Sequence, residues 1–424
     1  MGSIEQSYID RTPKSASLVA RAEAVMPAGD TRAAGYHLPY PLTLSHANGC
    51  TLTDIDGNEY FDLSNNFTSL AHGHAYPPIV DAVSRVIGAG TAWPARNNSQ
   101  LELAELICSR VASIDQVRFC NSGSEANMLA LHVARLHTGG RHKVLMARHG
   151  YHGSHEVFEA GFFGNRGEKA WVHTLTAPWG DAAAFEQVLA DEGDDIAAVF
   201  LEGAMGSSGL LTAPAEFFQK VIDATHKAGA VFVLDEVITL RMSEGGHQAN
   251  LGITPDLTTM GKIIGGGYPV GAVGGRADLM SLLDPRRGKI LHSGTFNGNP
   301  VTTAAGIPSL GHLTADKIDT MAALAERLDT GIAAAAAAAG LPYSSRRIGS
   351  LVNMYFTETP PVANLLREEG DTMRLVHLAG MNHGLYFASR GFLVLNTLMT
   401  EEHIDAAVAK FQAAFVDAAA ERTK

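Results

Sequence analysis

From about residue 50 to residue 310, short apolar runs alternate with longer amphipathic ones, and no other feature of the sequence constrains the fold as much. Strands at that spacing, separated by helices, build βα units around a mostly parallel sheet. The predicted strands are "QVRFC" (116–120), "HKVLMA" (142–147), "IAAVFLE" (196–202), "AVFVLDE" (230–236) and "VGAVGG" (270–275). Polar or glycine residues follow each run, and ligands of open α/β sheets bind in the loops beyond the carboxyl ends of the strands. Past about residue 312 the pattern turns helical, with the alanine run 333–339 stopped by Gly340, and then gives short strands such as "SLVNMYF" and "GLYFA". The expected division is 1–49 as an N-terminal segment serving the small domain and the active site, 50–311 as a large sheet domain, and 312–424 as a smaller α+β domain.

Composition narrows the possible partners. The 424 residues are 46% hydrophobic and 18% charged, and 32 Lys and Arg stand against 44 Asp and Glu for a formal charge of -12. That excess argues against nucleic acid and anionic membrane and points to a small-molecule partner. Cys50, Cys108 and Cys120 are the three cysteines and form no CxxC pair, so neither a disulfide framework nor a zinc site is expected, in keeping with a reducing cytoplasm. No apolar stretch has the length of a membrane span, and the first residues, "MGSIEQSYIDRTPKS", lack the apolar core of a secretion signal.

Chemistry-bearing residues gather at the predicted strand ends. In "CNSGSEANMLALHVARLHTGG" (120–140) a strand runs through Asn121-Ser122-Gly123-Ser124 into a helix, and hydroxyls, a glycine and free helix N–H groups make an anion cradle. The plainer alternative is that Ser124 caps the helix, with Asn127 completing an imperfect capping box. "HGYHGSH" (149–155) offers the flat ring of Tyr151, while its histidines lack the cysteine or well-spaced carboxylate of a metal site. "AVFVLDEV" delivers Asp235 at the end of an apolar strand, where a carboxylate needs a cationic or hydrogen-bonding partner. Glu202 in "VFLEGAMGSSG" repeats that arrangement, with a surface carboxylate as the alternative.

Lys262 lies in "MGKIIGGGYPVGAVGG" (260–275), reached from Asp235 through a stretch, "DLTTMG", read as helical. A phosphate-binding P-loop is excluded, because Asp256 and Ile263 occupy the places of its first glycine and its Ser or Thr. Apolar neighbours and tight turns would desolvate the ammonium and favour the free amine that forms Schiff bases. A phosphate cradle, an aromatic ring, a buried aspartate and such a lysine together suit one cofactor, pyridoxal 5'-phosphate (PLP): its phosphate is anchored, its ring stacked, its pyridine nitrogen kept protonated and its aldehyde joined to lysine.

The chain resembles the class-III aminotransferases of fold type I, in the branch of glutamate-1-semialdehyde aminomutase and β-phenylalanine aminotransferases. The resemblance runs from about residue 20 to about 415 and is carried by "MPAGDTR" (26–32), "NSGSEAN" (121–127), "GYHG" (150–153), "DEV" (235–237), "TTMGKIIGGGYPVGAVGG" (258–275) and "HSGTFNGNP" (292–300). It implies an aspartate aminotransferase-like α/β fold and a homodimer. It also implies that Lys262 forms the Schiff base and moves the substrate proton, that Asp235 pairs with the pyridine nitrogen, and that Val237 and Tyr151 sandwich the ring. Ser122, Gly123 and Ser124 would hold the phosphate, joined by Thr295 from the neighbouring subunit. Glu202 matches a cofactor-adjacent position whose following proline is here Gly203, which puts the reach of Glu202 in question. Arg32 and Arg390 match substrate-carboxylate arginines, a role suited to the guanidinium fork. The glutamate-containing "FE" segment of aminomutases is missing near Arg390. The implied activity is ping-pong transfer of an amino group from a β-amino or aromatic amino acid to a keto acid such as 2-oxoglutarate or pyruvate, with aminomutase or racemase chemistry as the alternative. Trp93, Phe67 and Tyr36 are candidates for an apolar pocket or for plain core.

Overall fold

The structure is a computed structural model that describes residues 2–163, 173–361 and 372–422. The chain divides into two compact units, Pro77–Ala315 and the discontinuous pair Met1–Tyr76 with Asp316–Lys424.

In the first unit, seven strands form one sheet: β1 (Gln116–Cys120), β2 (Lys143–Ala147), β3 (Thr174–Ala177), β4 (Ile196–Glu202), β5 (Val231–Asp235), β6 (Leu257–Gly261) and β7 (Gly271–Gly275). Their spatial order is β1-β7-β6-β5-β4-β2-β3. Strands β3, β2, β4, β5 and β6 run parallel to one another, and β7 lies antiparallel between β6 and β1. The apolar runs of β4 and β5 are continuous because both faces of the sheet are covered there. On β2, Val144 and Met146 pack into one core with helix α1 (Gly123–His137), whereas Leu145 and Ala147 enter the other with Phe185, Phe217 and Phe218. Every residue of β4 is buried.

The sequence expectation was wrong for "DLTTMG": Leu257–Gly261 is strand β6, buried throughout and paired in register with both β5 and β7. Two consecutive threonines hid the strand signal, yet a β-branched side chain suits a pleated, buried strand whenever its hydroxyl finds a partner. Thr259 Oγ1 donates to Asn127 Oδ1 (2.7 Å), and Thr258 Oγ1 accepts from Gln248 Nε2 (3.3 Å).

The second unit holds a four-stranded sheet in the order Leu44–Asn48, Thr51–Asp54, Glu59–Asp62, Leu385–Tyr386, and a three-stranded sheet of Ser344–Ile348, Leu351–Tyr355 and Phe392–Val394. The 50–311 boundary expected from sequence is therefore displaced. Residues 50–76 pack in this unit, because Glu59–Asp62 pairs parallel with Leu385–Tyr386 and Leu63 N–H donates to the Tyr386 carbonyl (2.8 Å). The alanine run ends the helix Ala315–Ala338, with Gly340 at φ +68° beyond it. None of the described helices is long and apolar enough to cross a membrane.

Candidate active site

Strand register builds the centre of the site. Glu202 of β4 lies opposite Asp235 of β5, and Asp235 opposite Thr259 of β6. Asp235 is 5% exposed. Its Oδ2 accepts from Asn127 Nδ2 (2.8 Å) and meets His152 Nδ1 (2.9 Å), while its Oδ1 accepts from Val237 N–H (3.0 Å). Asn127 reaches it from α1, and the same amide nitrogen donates to the His152 carbonyl (3.0 Å). His152 is wedged edge-on against Phe158 and Phe200, and its Nε2 is buried with no hydrogen-bond partner among the described residues. That setting favours the tautomer with the proton on Nδ1, directed at Asp235.

Glu202 is buried and accepts from the N–H groups of Tyr151 (2.9 Å) and Gly206 (3.2 Å). Burial pushes its carboxyl up to about 7; Asp235 adds to the rise, and His152 and the two amides oppose it. It is thus not the surface carboxylate that the sequence left open. Gly203 N–H donates to the Asp235 carbonyl (3.2 Å), a bond that a proline cannot make, and a Cβ at Gly203 would stand 2.5 Å from Thr239 Oγ1. The glycine thereby locks the end of β4 onto β5, and Glu202 is used to hold the backbone of Tyr151. The Tyr151 ring is 41% exposed and rests edge-on against Phe162, at 5.5 Å between centroids.

At the start of α1 the capping residue is Ser122, not Ser124. Ser122 is extended (φ -154°, ψ 161°) and its side chain accepts from Glu125 N–H (3.1 Å), while Glu125 Oε2 accepts from Asn121 N–H (2.7 Å). Ser124 Oγ instead accepts from Ser154 N–H (3.1 Å). The amides of Gly123 and Ser124 belong to the first turn, which lacks intrahelical acceptors and carries the positive end of the helix dipole. A Cβ at Gly123 would come within 2.9 Å of the Val237 side chain, so the glycine admits Val237 beside the cradle.

Lys262 follows β6 with φ +50°, a left-handed conformation that costs a lysine about 1 kcal/mol or more. It opens a single 3-10 turn, Lys262–Gly265. Helix α2 (Pro300–Gly311) packs beneath: Ser309 Oγ donates to the Ile263 carbonyl (2.6 Å), and at Gly266 (φ +58°) a Cβ would lie 2.6 Å from the Ala305 carbonyl. Close packing under the turn explains its glycines and holds the strained lysine.

Thr295 is exposed, on a segment where Leu291 is 95% and Phe296 60% exposed. It lines a surface cleft of about 530 Å³ with Trp93, Arg96, Arg118 and His292. In the other unit, exposed Arg32 donates through Nη1 to Asn66 Oδ1 (2.7 Å), and the half-buried Arg390 guanidinium lies 5.3 Å from the centre of the Phe392 ring. Trp93 (42%) and Tyr36 (38%) are exposed and Phe67 is half-buried, so none of the three is plain core. Nothing in the sequence announced the turn at 65–68, where Asn65, Asn66, Phe67 and Thr68 all have positive φ (46°, 48°, 54°, 74°). The sequence offered Asn127 only as part of a capping box and gave no role to His152 or Thr259, and the partners of all three come from other elements.

The donor set fits pyridoxal 5'-phosphate. Asp235, backed by Asn127 and His152, suits a protonated ring nitrogen; the half-buried turn 122–124 suits a phosphate; Lys262 supplies the amine. The class-III aminotransferase family model matches residues 32–160 and 173–415. The chain is 37% identical to the beta-phenylalanine transaminase of Variovorax paradoxus over 407 residues, 95% of this chain and 92% of that protein. It is also 37% identical to the glutamate-1-semialdehyde 2,1-aminomutase of Myxococcus xanthus, over 89% of this chain and 91% of that one. A solved transaminase with PLP bound superposes with a TM-score of 0.91 at 33% identity, covering 97% of this chain and 99% of that chain. The fold is that of the fold-type I transferases, and the chain belongs to the class-III aminotransferases, which depend on pyridoxal phosphate.

Proposed function

We propose that the protein transfers the amino group of a β-amino or aromatic amino acid to a keto acid such as 2-oxoglutarate or pyruvate, in two half-reactions. One observation carries the reading: likeness to a beta-phenylalanine transaminase extends over 95% of the chain, which carries an exposed guanidinium at Arg32 and a second one at Arg390. PLP, when bound, supplies an electron sink that makes acidic the C–H of the substrate carbon bearing the amino group. Lys262 Nζ would take that proton and pass it to the cofactor rather than back to the same carbon. Asp235, oriented by Asn127 and His152, holds a proton at the ring nitrogen. The amides and hydroxyls of Ser122, Gly123 and Ser124 bind the phosphate, and Tyr151 and Val237 flank the ring, with Glu202 fixing the backbone of Tyr151. Arg32 takes the donor carboxylate, and Arg390 serves either a second carboxylate or, turned aside on Phe392, an apolar substituent.

Exposed Leu291, Phe296 and Trp93 around Thr295 support a homodimer in which Thr295 reaches the partner's phosphate site. The reaction requires no membrane or nucleic acid, and the free cysteines fit a cytoplasmic setting.

The aminomutase relative favours a second reading, an intramolecular amino shift. The test is a panel of α-amino, β-amino and simple amine donors with and without a keto acid. A transaminase consumes one equivalent of donor per site and stops until the keto acid is added, whereas a mutase turns over without one. Lys262→Ala is expected to lower kcat by at least ~10³-fold while the protein still binds PLP; full turnover by this variant removes the lysine from the mechanism.

A further inference from the structure

We infer that Asn66 is a positioning residue for carboxylate recognition, and that the left-handed turn 65–68 presents its amide to Arg32. The inference rests on the assignment of Arg32 to the substrate carboxylate. Four successive residues with positive φ are an unusual construction, since Phe67 and Thr68 have no tolerance for that region beyond any other side chain. The turn is clamped at its root. Buried Asp62 accepts from the N–H groups of Ser64 (2.7 Å) and Asn65 (3.0 Å). Asn65, fully buried, donates through Nδ2 to the Val394 carbonyl (2.7 Å) and accepts at Oδ1 from Asn396 Nδ2 (2.9 Å).

The clamp leaves Asn66 at the surface with a defined amide orientation. Ser69 Oγ donates to the Asn66 carbonyl (3.0 Å), so it accepts from Asn66 Nδ2 (2.9 Å), and Oδ1 is the atom turned to the guanidinium. An exposed arginine loses much rotamer freedom when it captures an anion. A neutral acceptor on a rigid turn removes part of that cost in advance and leaves the positive charge uncompensated for the ligand. A carboxylate at position 66 would also hold Arg32 but would compete with the substrate. Among the described residues Arg32 makes no ion pair, and its guanidinium partner is this amide.

The test uses the PLP-loaded enzyme and two probes, 3-phenylpropanoate and 3-phenylpropanamide, with binding measured by calorimetry. Wild type is expected to bind the acid at least tenfold tighter than the amide; equal binding overturns the Arg32 reading and this inference with it. Arg32→Ala should abolish the preference, and a preference that survives has the same double consequence. Asn66→Gly removes the amide while glycine accepts φ +48° freely, so the turn survives. It should weaken acid binding about fivefold, leave amide binding and kcat near wild type, raise KM for carboxylate donors, and add nothing in the Arg32→Ala background. Loss of acid preference in Arg32→Ala alone, with Asn66→Gly within twofold of wild type, overturns the positioning role and leaves the Arg32 reading standing.

Discussion

Gly203 shows how much one position carries at the end of β4. Its N–H bonds the Asp235 carbonyl, and the space where a side chain would stand is filled by Thr239. Gly203→Ala is expected to destabilise the protein by about 1–3 kcal/mol through overpacking, read as a lower denaturant midpoint at unchanged m. Single residues of this kind were legible only in part. Lys262 and Asp235 stand out in the sequence because a lysine among glycines and a carboxylate closing an apolar run each demand a chemical explanation. His152 does not, because a buried histidine and a solvated one look alike until Phe158 and Phe200 enclose the ring.

At the scale of elements, α1 fastens the site to the sheet. Asn127 on α1 bonds Asp235 of β5, Thr259 of β6 and the carbonyl of His152 in the loop after β2. Asn127→Leu strands these buried groups together, and an outer-shell loss of this kind is expected to weaken PLP binding about 10–100-fold, measured by titrating apoprotein with PLP. An intact PLP affinity removes Asn127 from the support of Asp235. Strands rich in Val, Ile and Leu could be read from their apolar runs, but β6 could not. Its threonines are polar in composition and buried in fact, because hydroxyl partners arrive from α1 and from Gln248. The capping serine was likewise misassigned by two residues, since Ser122 and Ser124 differ only in which of them leaves the strand with extended backbone.

For the whole molecule, buried carboxylates tie stability to pH. The folded pKa of Glu202, about 7, lies above the ordinary glutamate value, so between roughly pH 4.5 and 7 the native state holds a proton that the unfolded chain releases. Its contribution to stability is therefore fully present below about pH 4.5 and is lost as pH rises through 7, on the order of 3 kcal/mol in all. Apoprotein carrying Glu202→Gln should lack this part of the pH dependence when denaturant midpoints are compared with wild type from pH 5 to 8; parallel curves refute it. Glu236, also raised by burial, acts in the same direction in both proteins.

The alternation of apolar and amphipathic runs was enough to determine an α/β sheet domain, and the residues at its strand ends were enough to indicate the cofactor, because both follow from local pattern and side-chain chemistry. Tertiary structure decided what depends on distant partners. Residues 50–76 join the C-terminal segment because their strand pairs with one more than 300 residues later, as in Phe61 opposite Leu385. It also decided the support around Asp235 and the left-handed turn that holds Asn66 to Arg32, since the bonds stabilising each cross between elements that no local window of sequence contains.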